Sequence, residues 1–437
     1  MLRAFLKRCP HFYQLLRTTN GCAFFIADPH ECAARDRMMR DEYDVIVVGA
    51  GPAGSIAAQH AAAQCDVLLV EKRQAIGEPI RCAEGVPLWQ SPIFPKSFSE
   101  YVQPDPNWIA SEVRRIRATS PDGTTIEVSS ETFGVDGPLA FIIERKLFDR
   151  QLAKDAARAG ADIMVRTRAS GLIIDENVVK GVRANRLGDE FELTAKVVIA
   201  ADGLESQVGR WGGINTSLEA KDIASCAQYY AENVDVSQET VDLYYGSNIG
   251  GGYAWVFPKG DKTANVGLAV PGSRCGAKRP IDYLDEFAAK RFPSAQPIGL
   301  ILGGIAISNE LRTIVRNGLM LVGDAAHHTD PLTGGGIVPA LESGTIAGKV
   351  ASKAVRKNDP SERVLREYQT EYNHSFGTMR RLRYSCKELA VSLSDEEINR
   401  VMRVLNGIQP GELSLKSITM RFLRKDPRLL LKARQLV

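Results

Sequence analysis

The apolar positions between residues 43 and 70 predict a β-α-β unit. Residues 43–48 and 66–70 are short apolar runs rich in valine and leucine, and the alanine-rich stretch 52–64 between them is typical of a helix. Two later apolar runs, residues 195–201 and 318–322, also lead into glycine-containing turns. Because these strands lie far apart in the sequence, we expect a parallel sheet to bring their ends together, with the intervening chain forming a second domain.

The intervening chain alternates between apolar and polar positions, which is typical of antiparallel strands. Residues 113–128 predict a hairpin around a Pro-Asp-Gly turn, and residues 225–270 alternate in the same way. Residues 145–159 have apolar side chains at helical spacing and follow a predicted strand at 139–143. From Lys349 onward the pattern is helical and polar. We therefore expect an inserted antiparallel domain and a helical C-terminal segment.

A GxGxxG motif occupies the predicted turn from the first strand into the first helix. Gly49 permits the tight turn, Gly51 allows a pyrophosphate to approach the backbone, and Gly54 allows close packing of helix and strand. Glu71, at the end of the second strand, is the expected acceptor of hydrogen bonds from ribose hydroxyls. The motif predicts a dinucleotide site, with a plain glycine turn as the alternative, and leaves NAD and FAD both open.

Composition excludes several classes of protein. A chain of 437 residues is long enough for two or three domains. The net charge of +3, from 55 basic and 52 acidic residues, gives no argument for a nucleic-acid partner. The eight cysteines have no repeated spacing, so we expect reduced thiols of a cytosolic protein rather than a disulfide framework. We expect no metal site, because no third ligand accompanies the adjacent His327 and His328.

The two ends of the chain differ from the rest. Residues 1–40 hold seven Lys or Arg and three acidic residues without a clear period, and we expect this leader to lie outside the fold. An upstream start codon explains it, with Met38 or Met39 as the first residue, and a targeting peptide is the alternative. Residues 415–437 hold seven basic residues and one acid with leucines interleaved. They predict contact with anionic lipid, and a solvated terminal helix is the alternative.

Two further segments identify the cofactor by resemblance. VVIAADGLESQVGR (197–210) and GLMLVGDAAHHTDPLTGGGIVPALESG (318–344) resemble the second and third fingerprints of p-hydroxybenzoate hydroxylase-like flavoproteins. The resemblance implies FAD, with Asp324 on its ribityl or ribose part and the backbone of 334–337 near the flavin ring. The position of Asp324 between a strand and a helix also predicts that it caps that helix.

For two other polar residues, a role that does not involve FAD is the alternative to FAD binding. Asp202 lies in an Asp-Gly turn, which is a common structural device, so it is either a turn residue or a ligand. Arg145 matches the arginine that begins the return helix in these flavoproteins and contacts FAD. A solvated arginine at a helix start is the alternative.

The resemblance narrows at two segments to the geranylgeranyl reductase family, which saturates isoprenoid double bonds. GEPIRCAEGV (77–86) looks like the cysteine-containing segment of that family, and GGYAWVFPKGDKTANVGLAV (251–270) matches its YxWxFPKG signature. The matches run from about residue 42 to 350 and are strongest to the archaeal digeranylgeranylglycerophospholipid reductases. The implied fold is α/β, with a Rossmann-like FAD-binding domain of p-hydroxybenzoate hydroxylase type and an inserted antiparallel β-rich substrate domain.

The domain ranges follow from this arrangement. We expect the discontinuous FAD-binding domain to comprise 41–85, 138–210 and 310–355, the substrate domain 86–137 and 211–309, and the helical C-terminal segment 356–437. The resemblance implies FAD contacts at sixteen positions: Gly49, Gly51, Ala53, Gly54, Glu71, Lys72, Cys82, Ala83, Gly85, Arg145, Ala169, Asp202, Asp324, Gly335, Gly336 and Ile337.

Three side chains are the expected catalytic residues. Tyr253 and Trp255 share one face of a strand with Phe257 by the period of two, so their rings form either the wall of an apolar tunnel or an ordinary core stripe. Cys82 is the expected proton donor, because a thiol donates in an apolar tunnel without the cost of burying a charge; a small buried hydrophobe is the alternative. Glu84 is a second candidate donor. His327 and His328, at a predicted helix start, are expected to be structural, with proton donation as the alternative.

The implied activity is reduction of the alkenes in geranylgeranyl chains of archaeal membrane lipids. The implied partners are an isoprenoid lipid and an electron donor such as ferredoxin, a reduced deazaflavin or NAD(P)H. The resemblance implies a cytoplasmic enzyme that works on lipids in peripheral contact with the membrane. No apolar stretch approaches the roughly 20 residues of a spanning helix. An FAD-dependent aromatic-ring hydroxylase of the same fold is the alternative.

Overall fold

The computed structural model describes residues 40–90, 96–276, 278–408, 415–426 and 428. The predicted leader and the proposed start at Met39 lie outside these residues, apart from Arg40. The strands, in chain order, are β1 (Glu42–Val48), β2 (Val67–Val70), β3 (Gly85–Pro87), β4 (Ile109–Val113), β5 (Arg115–Thr119), β6 (Thr125–Ser129), β7 (Ala140–Ile143), β8 (Asp162–Met164), β9 (Thr167–Asp175), β10 (Val178–Arg186), β11 (Asp189–Ala200), β12 (Ile223–Glu232), β13 (Thr240–Tyr245), β14 (Tyr253–Pro258), β15 (Ala264–Pro271), β16 (Gln296–Ala306), β17 (Val315–Arg316) and β18 (Leu319–Leu321).

The helices alternate with these strands and then continue beyond them. In chain order they are α1 (Pro52–Ala62), α2 (Ser130–Phe133), α3 (Arg145–Arg158), α4 (Gln207–Trp211), α5 (Pro280–Arg291), α6 (Ile337–Arg356), α7 (Glu362–Tyr372), α8 (Thr378–Ser392), α9 (Asp395–Leu405) and α10 (Leu415–Lys425). A 3₁₀ turn occupies Gly323–Ala326, and a π-helix, Asn373–Gly377, connects α7 to α8. Among the described helices, none is long and apolar enough to cross a membrane.

An eight-stranded sheet brings the three glycine-containing strand ends together, as predicted. Strands β8, β2, β1, β11 and β18 are neighbours in that order and run parallel, so the ends of β1, β11 and β18 meet at one edge. Val45, Ile46 and Val47 of β1 are fully buried, so both faces of this strand are covered, as is usual in parallel sheets. The sequence analysis did not predict β8, β9 or β10. Strands β9 and β10 form a hairpin, and β10 pairs with the first half of β11.

Helices α1 and α6 pack closely in front of this sheet because their contact surface has small residues. A Cβ at Gly344 of α6 would overlap the carbonyl oxygen of Ala53, and a Cβ at Gly348 would overlap that of Ala57. Both glycines therefore let the two helix backbones approach each other. This contact holds the start of α6 next to the glycine-rich turn that begins α1.

A seven-stranded sheet forms the predicted second domain. Its strand order is β16-β12-β15-β14-β13-β5-β6, and its pairs are antiparallel except that β13 and β5 run parallel. Helix α5 covers one face, where Leu284 is buried among Ala254, Val256 and Leu268. The opposite face therefore remains for the eight-stranded sheet and its turns.

The sheet membership agrees with the expected order of the domains, while their boundaries stay a prediction. One strand does not follow the expected division into domains. Strand β4 lies in the expected substrate range but pairs with β7, which lies in the expected FAD-binding range. The two strands form a separate three-stranded sheet with β3. The predicted hairpin corresponds to β5 and β6, and the return helix to α3. Helices α7 to α10 confirm the helical C-terminal segment.

Candidate active site

The glycine-rich turn after β1 leaves open space next to the start of α1. Gly49 has a left-handed φ of +106°, and a Cβ at Gly54 would overlap the carbonyl oxygen of Gly49. A Cβ at Gly51 would meet no atom within 4 Å among the described residues. Gly51 is the N-cap of α1, and no side chain in the described part of the chain caps this helix. An uncapped helix start of this kind favours an anion such as a pyrophosphate.

Glu71 connects the end of β2 to the same turn. Its carboxylate accepts the backbone N–H of Ala50 at 2.9 Å and that of Arg73 at 2.9 Å. An ionised carboxylate offers about four acceptor positions, so capacity remains for ribose hydroxyls. Glu71 thus supports the glycine turn in addition to its predicted role as a ligand.

The side chain of Asp324, in the turn after β18, lies beside the start of α6. A Cβ at Gly336, the N-cap of α6, would lie 3.4 Å from Asp324 Oδ1. The same oxygen accepts a hydrogen bond of 2.7 Å from Thr329, and burial raises the pKa of Asp324. No side chain of the described residues caps α6. Backbone N–H groups and a partly buried carboxylate therefore meet at this point.

The prediction that Asp324 caps a helix is wrong. Asp324 lies inside the 3₁₀ turn Gly323–Ala326, whose N-cap is Val322, and the following helix begins only at Ile337. The predicted helix start at His327 is wrong for the same reason: His327 adopts a left-handed φ of +57° and ends that turn. A left-handed residue stops a helix, and the polar stretch up to Gly336 forms a loop instead.

Asp202 has a structural role in its turn. One carboxylate oxygen accepts the hydroxyl of Ser206 at 3.1 Å, and the other accepts the backbone N–H of Val208 at 3.1 Å. These bonds hold the start of α4. Burial raises the pKa of Asp202 despite them. Its role as an FAD ligand stays a prediction.

Arg145 begins α3, as predicted, and the structure does not support a solvated side chain. Its guanidinium makes two hydrogen bonds of 2.8 Å to Asp149, and the two side chains are 17% and 7% exposed. Its backbone N–H donates to Glu84 at 2.8 Å. Arg145 is therefore held in place beside the segment that contains Cys82.

Cys82 is a free, partly buried thiol at the contact between the two large sheets. Its sulfur accepts the backbone N–H of Glu84 at 3.2 Å, and burial raises the pKa of the thiol. Glu84 is 2% exposed and pairs with Lys259, with 2.9 Å between Nζ and Oε2. Because this carboxylate is paired and its oxygens already accept hydrogen bonds, Cys82 is the better candidate for proton donation.

Tyr253, Trp255 and Phe257 lie on one face of β14, as predicted. The ring centroids of Tyr253 and Trp255 are 5.7 Å apart, and those of Trp255 and Phe257 are 6.3 Å apart. Tyr245 of the neighbouring strand extends this row at 6.2 Å from Tyr253. The four rings form a continuous aromatic surface on the side of the seven-stranded sheet that α5 does not cover.

Polar contacts place this aromatic surface against the turns of the eight-stranded sheet. The hydroxyl of Tyr253 donates to the carbonyl of Thr333 at 2.7 Å, just before the start of α6. The indole N–H of Trp255 donates to Gln228 at 2.8 Å, and Gln228 donates to the carbonyl of Cys82 at 3.2 Å. The segment Cys82 to Glu84, called the thiol segment below, therefore forms one site with the aromatic surface and the start of α6.

Comparisons with known proteins agree with this arrangement. A family model for the geranylgeranyl reductase catalytic domain matches residues 222–305, and one for FAD dependent oxidoreductases matches residues 44–246. The digeranylgeranylglycerophospholipid reductase of Methanocella arvoryzae is 45% identical over 90% of this chain and 98% of its own length. Digeranylgeranylglycerophospholipid reductase 2 of Methanococcoides burtonii is 44% identical over 90% and 95%.

The chain belongs to the digeranylgeranylglycerophospholipid reductase family.

The crystal structure of a geranylgeranyl bacteriochlorophyll reductase-like protein from Thermoplasma acidophilum has the same fold. Its TM-score is 0.83, with 35% identity over 91% of this chain and all of that protein. A flavin-dependent brominase, at 17% identity and a TM-score of 0.68 over 88% of this chain, shares the fold alone. The family, its oxidoreductase class and its cofactor, FAD, are thus in agreement with the resemblance in the sequence.

The residues present fit FAD. The open space at Gly51, the uncapped starts of α1 and α6 and the partly buried Asp324 provide sites for phosphate, flavin ring and polyol. The other expected contacts lie around this space: Ala53 is buried in α1, Lys72 is exposed after β2, Ala83 and Gly85 flank Glu84, Ala169 lies in β9, and Gly335, Gly336 and Ile337 lead into α6. Each of these FAD contacts stays a prediction.

The two histidines are buried and contact neighbouring residues, and their structural role stays a prediction. The ring nitrogens of His327 contact the Ser308 hydroxyl and the Thr216 carbonyl, both at 3.2 Å. The ring of His328 stacks on Tyr372 at 3.7 Å. Burial lowers the pKa of His327 to about 4 and lowers that of His328 as well. Both rings are therefore neutral near pH 7.

We expect His327 to make stability depend on pH. Its pKa is about 4 in the fold against an ordinary 6.5, so the unfolded chain binds the proton first as pH falls. The resulting loss of stability spans pH 6.5 to about 4 and reaches about 3 kcal/mol. His327→Asn, which tolerates the left-handed backbone, should show a smaller drop in melting temperature between pH 7 and pH 5 than the wild type. The exposed His374→Asn is the matched control, and an equal drop in all three proteins would contradict this role.

Sequence reasoning missed several polar residues of the site. Gln228 and Asn265 lie on neighbouring strands, and Lys259 belongs to the FPKG signature, but neither spacing nor charge marks them as partners of the thiol segment. Asp330 accepts hydrogen bonds from the N–H groups of the loop before α6 and pairs with the buried Arg383 of α8 at 2.7 Å. The burial of Arg383, at 6% exposed, became evident only from the packing of α8.

Proposed function

We propose that this chain reduces the isolated double bonds of geranylgeranyl chains in an archaeal membrane phospholipid, with FAD as the cofactor. The observation that carries this proposal is 45% identity along 90% of the chain to a digeranylgeranylglycerophospholipid reductase. The aromatic surface of Tyr245, Tyr253, Trp255 and Phe257 supports an apolar substrate, since a row of uncharged rings suits an isoprenoid chain.

In this proposal, different residues bind the different parts of FAD. Gly49, Gly51 and Gly54 receive the pyrophosphate, Glu71 the ribose, and Asp324 the polyol, while Gly335 to Ile337 lie at the flavin ring. Bound FAD, once reduced by the electron donor, would supply the hydride to one alkene carbon.

The substrate side of the site supplies the proton and excludes water. Tyr253 and Trp255 hold the isoprenoid chain against the site. Cys82 donates the proton to the other alkene carbon and recovers it from solvent. Its thiol stays protonated near pH 7, because burial raises its pKa. The balance is one hydride and one proton added for each double bond removed.

Mass spectrometry of the lipid tests this function. Purified holoenzyme, reduced chemically without oxygen, is incubated with digeranylgeranylglycerophospholipid, and we expect a gain of two hydrogen atoms per double bond. An aromatic-ring hydroxylase would instead consume oxygen and leave the alkenes intact, and the reductase relatives do not favour that alternative. Separate assays with reduced ferredoxin, a reduced deazaflavin and NAD(P)H would identify the electron donor. Unchanged lipid under every donor would reject the proposal.

We also propose that the enzyme works at the cytoplasmic face of the membrane through its C-terminal end. The side chains of Met420 and Leu423 in α10 are 42% and 50% exposed, next to the exposed Arg424 and Lys425. Apolar and basic side chains exposed together favour an anionic lipid surface, where each cation adds about 1 kcal/mol.

Deletion of residues 415–437 should weaken sedimentation of the protein with anionic vesicles at low salt. Part of this range, residues 427 and 429–437, lies outside the described residues. Neutral vesicles are the control, because they remove the electrostatic contribution and retain the apolar one. Equal sedimentation of the deleted and full-length proteins at both low and high salt would reject this contact.

A further inference from the structure

Three consecutive residues of the thiol segment each accept a hydrogen bond from the second domain. Gln228 Nε2 donates to the carbonyl of Cys82 at 3.2 Å, and Asn265 Nδ2 donates to the carbonyl of Ala83 at 3.2 Å. Lys259 Nζ donates to the carboxylate of Glu84 at 2.9 Å. These donors come from β12, β15 and the residue after β14. The seven-stranded sheet therefore holds this segment at successive points.

All three hydrogens of the Lys259 ammonium group have a hydrogen-bond acceptor. Its side chain is 2% exposed, and its ammonium group also reaches the carbonyl of Ile143 at 2.9 Å and the carboxylate of Glu144 at 2.8 Å. An ammonium has three hydrogens, and the three acceptors use them all. A buried lysine with complete pairing is costly to desolvate, so its position beside Glu84 is specific rather than incidental.

Glu84 occupies a backbone conformation that needs support. Its φ is +75°, in the left-handed region that side chains other than glycine rarely adopt. Its carboxylate also accepts Asn265 Nδ2 at 2.8 Å and the backbone N–H of Arg145 at 2.8 Å, and its carbonyl accepts the N–H of Ile143 at 2.9 Å. Strained residues of this kind cluster at functional sites, where the surrounding contacts stabilise them.

The orientation of Glu84 determines where the sulfur of Cys82 lies. The backbone N–H of Glu84 donates to that sulfur at 3.2 Å. A chain of contacts thus runs from Lys259 to the Glu84 carboxylate, through the left-handed backbone of Glu84, to the thiol. Loss of the lysine would leave a buried carboxylate without its cation, and the backbone of Glu84 would lose the orientation in which its N–H donates to the sulfur.

We propose that Lys259 and Asn265 are positioning residues that hold Cys82 through Glu84, so that the substrate domain sets the position of the thiol. This inference rests on the proposed function for the role of Cys82 in reduction. It assigns the lysine of the FPKG signature to the thiol rather than to FAD or to substrate. It also explains why a segment next to the cofactor-binding motif is held by side chains of the other domain.

The pH profile of Cys82 alkylation in the FAD-bound protein tests this assignment. Iodoacetamide reacts with the thiolate, and peptide mass spectrometry quantifies the Cys82 adduct separately from the other cysteines. A hydrogen bond from Glu84 N–H favours the thiolate, so its loss raises the pKa of Cys82. We expect Lys259→Met to move the midpoint of the profile upward by about one pH unit. Turnover should fall about tenfold at wild-type FAD content.

Two further variants separate positioning from general damage. Asn265→Leu has nearly the same shape and leaves no unpaired charge, so it should fold and show a smaller shift in the same direction. If Lys259→Met does not fold, Asn265→Leu alone decides the result. Lys262→Met removes an exposed lysine three residues away and should match the wild type in both measurements.

Two results would overturn the proposal. One is a Cys82 alkylation profile unchanged in both Lys259→Met and Asn265→Leu. The other is a loss of turnover without any change in that profile, which would indicate a purely structural lysine. Failure of the wild type to reduce the lipid would reject the proposed function instead, and the alkylation result would stand independently of it.

Discussion

Replacement of Cys82 by alanine or serine is expected to leave FAD bound and to slow alkene reduction by about a hundredfold, the effect of a lost general acid. An isolated alkene needs a proton at the carbon opposite the one that receives the hydride, and an apolar pocket offers few donors. The thiol of Cys82 is neutral near pH 7, because burial raises its pKa, so it donates without an ion being buried beforehand. Glu84, the other acidic group of this segment, is already paired with Lys259.

The measurement separates electron entry from alkene reduction. Reduced holoenzyme is mixed with the lipid without oxygen, and reoxidation of the flavin is followed by absorbance. The Cys82 variants should accept electrons at the wild-type rate and then reoxidise slowly. Cys65→Ala, at a partly buried thiol after α1, is the matched control and should behave as wild type. If the flavin of Cys82→Ala is reoxidised at the wild-type rate, Cys82 is not the proton donor and is only a small buried hydrophobe.

Gly54→Val is expected to yield protein without FAD. A Cβ at this position would overlap the carbonyl oxygen of Gly49, so the turn must open and its backbone can no longer receive the pyrophosphate. Glu71→Arg should have the same consequence, because it removes the acceptor for the N–H of Ala50 and places a cation at the turn. The flavin-to-protein ratio from absorbance of the purified variants is the measurement.

Two other glycine variants show whether this effect is specific to the cofactor. Gly51→Ala places its methyl group in space that no described atom occupies, so we expect folded protein with weakened FAD binding. Gly276→Val, at an exposed loop glycine, should bind FAD like the wild type. Stoichiometric FAD in purified Gly54→Val or Glu71→Arg would contradict the assignment of this turn.

Much of the flavin side of the site was predictable from local sequence. The apolar runs and the glycine turns predicted the order of β1, α1 and β2 and the meeting of three strand ends, because the period of side-chain burial and the conformational freedom of glycine are local properties. The alternation in residues 251–270 likewise placed Tyr253 and Trp255 on one face of β14. Asp324 was correctly placed after a strand, and the error about its helix arose because the left-handed His327 ends the turn.

The structure added elements that local patterns do not contain. Strands β9 and β10 both contain exposed positions, and β10 pairs with the polar half of β11, so their apolar period is weak. The π-helix Asn373–Gly377 has no signature in hydropathy. The buried Arg383 has none either, because an arginine is expected to be exposed unless an acidic partner such as Asp330 packs against it.

The sequence by itself determined the class of this protein: an FAD-binding α/β fold, an inserted antiparallel domain with an aromatic strand, and a cysteine beside the cofactor-binding motif. Only the tertiary structure decided which side chains hold that cysteine. Glu84 and Lys259 are 175 residues apart in the chain, and their pairing depends on two sheets meeting. Periodicity and turn chemistry act over a few residues, whereas a buried ion pair forms wherever the packed domains bring two charges together.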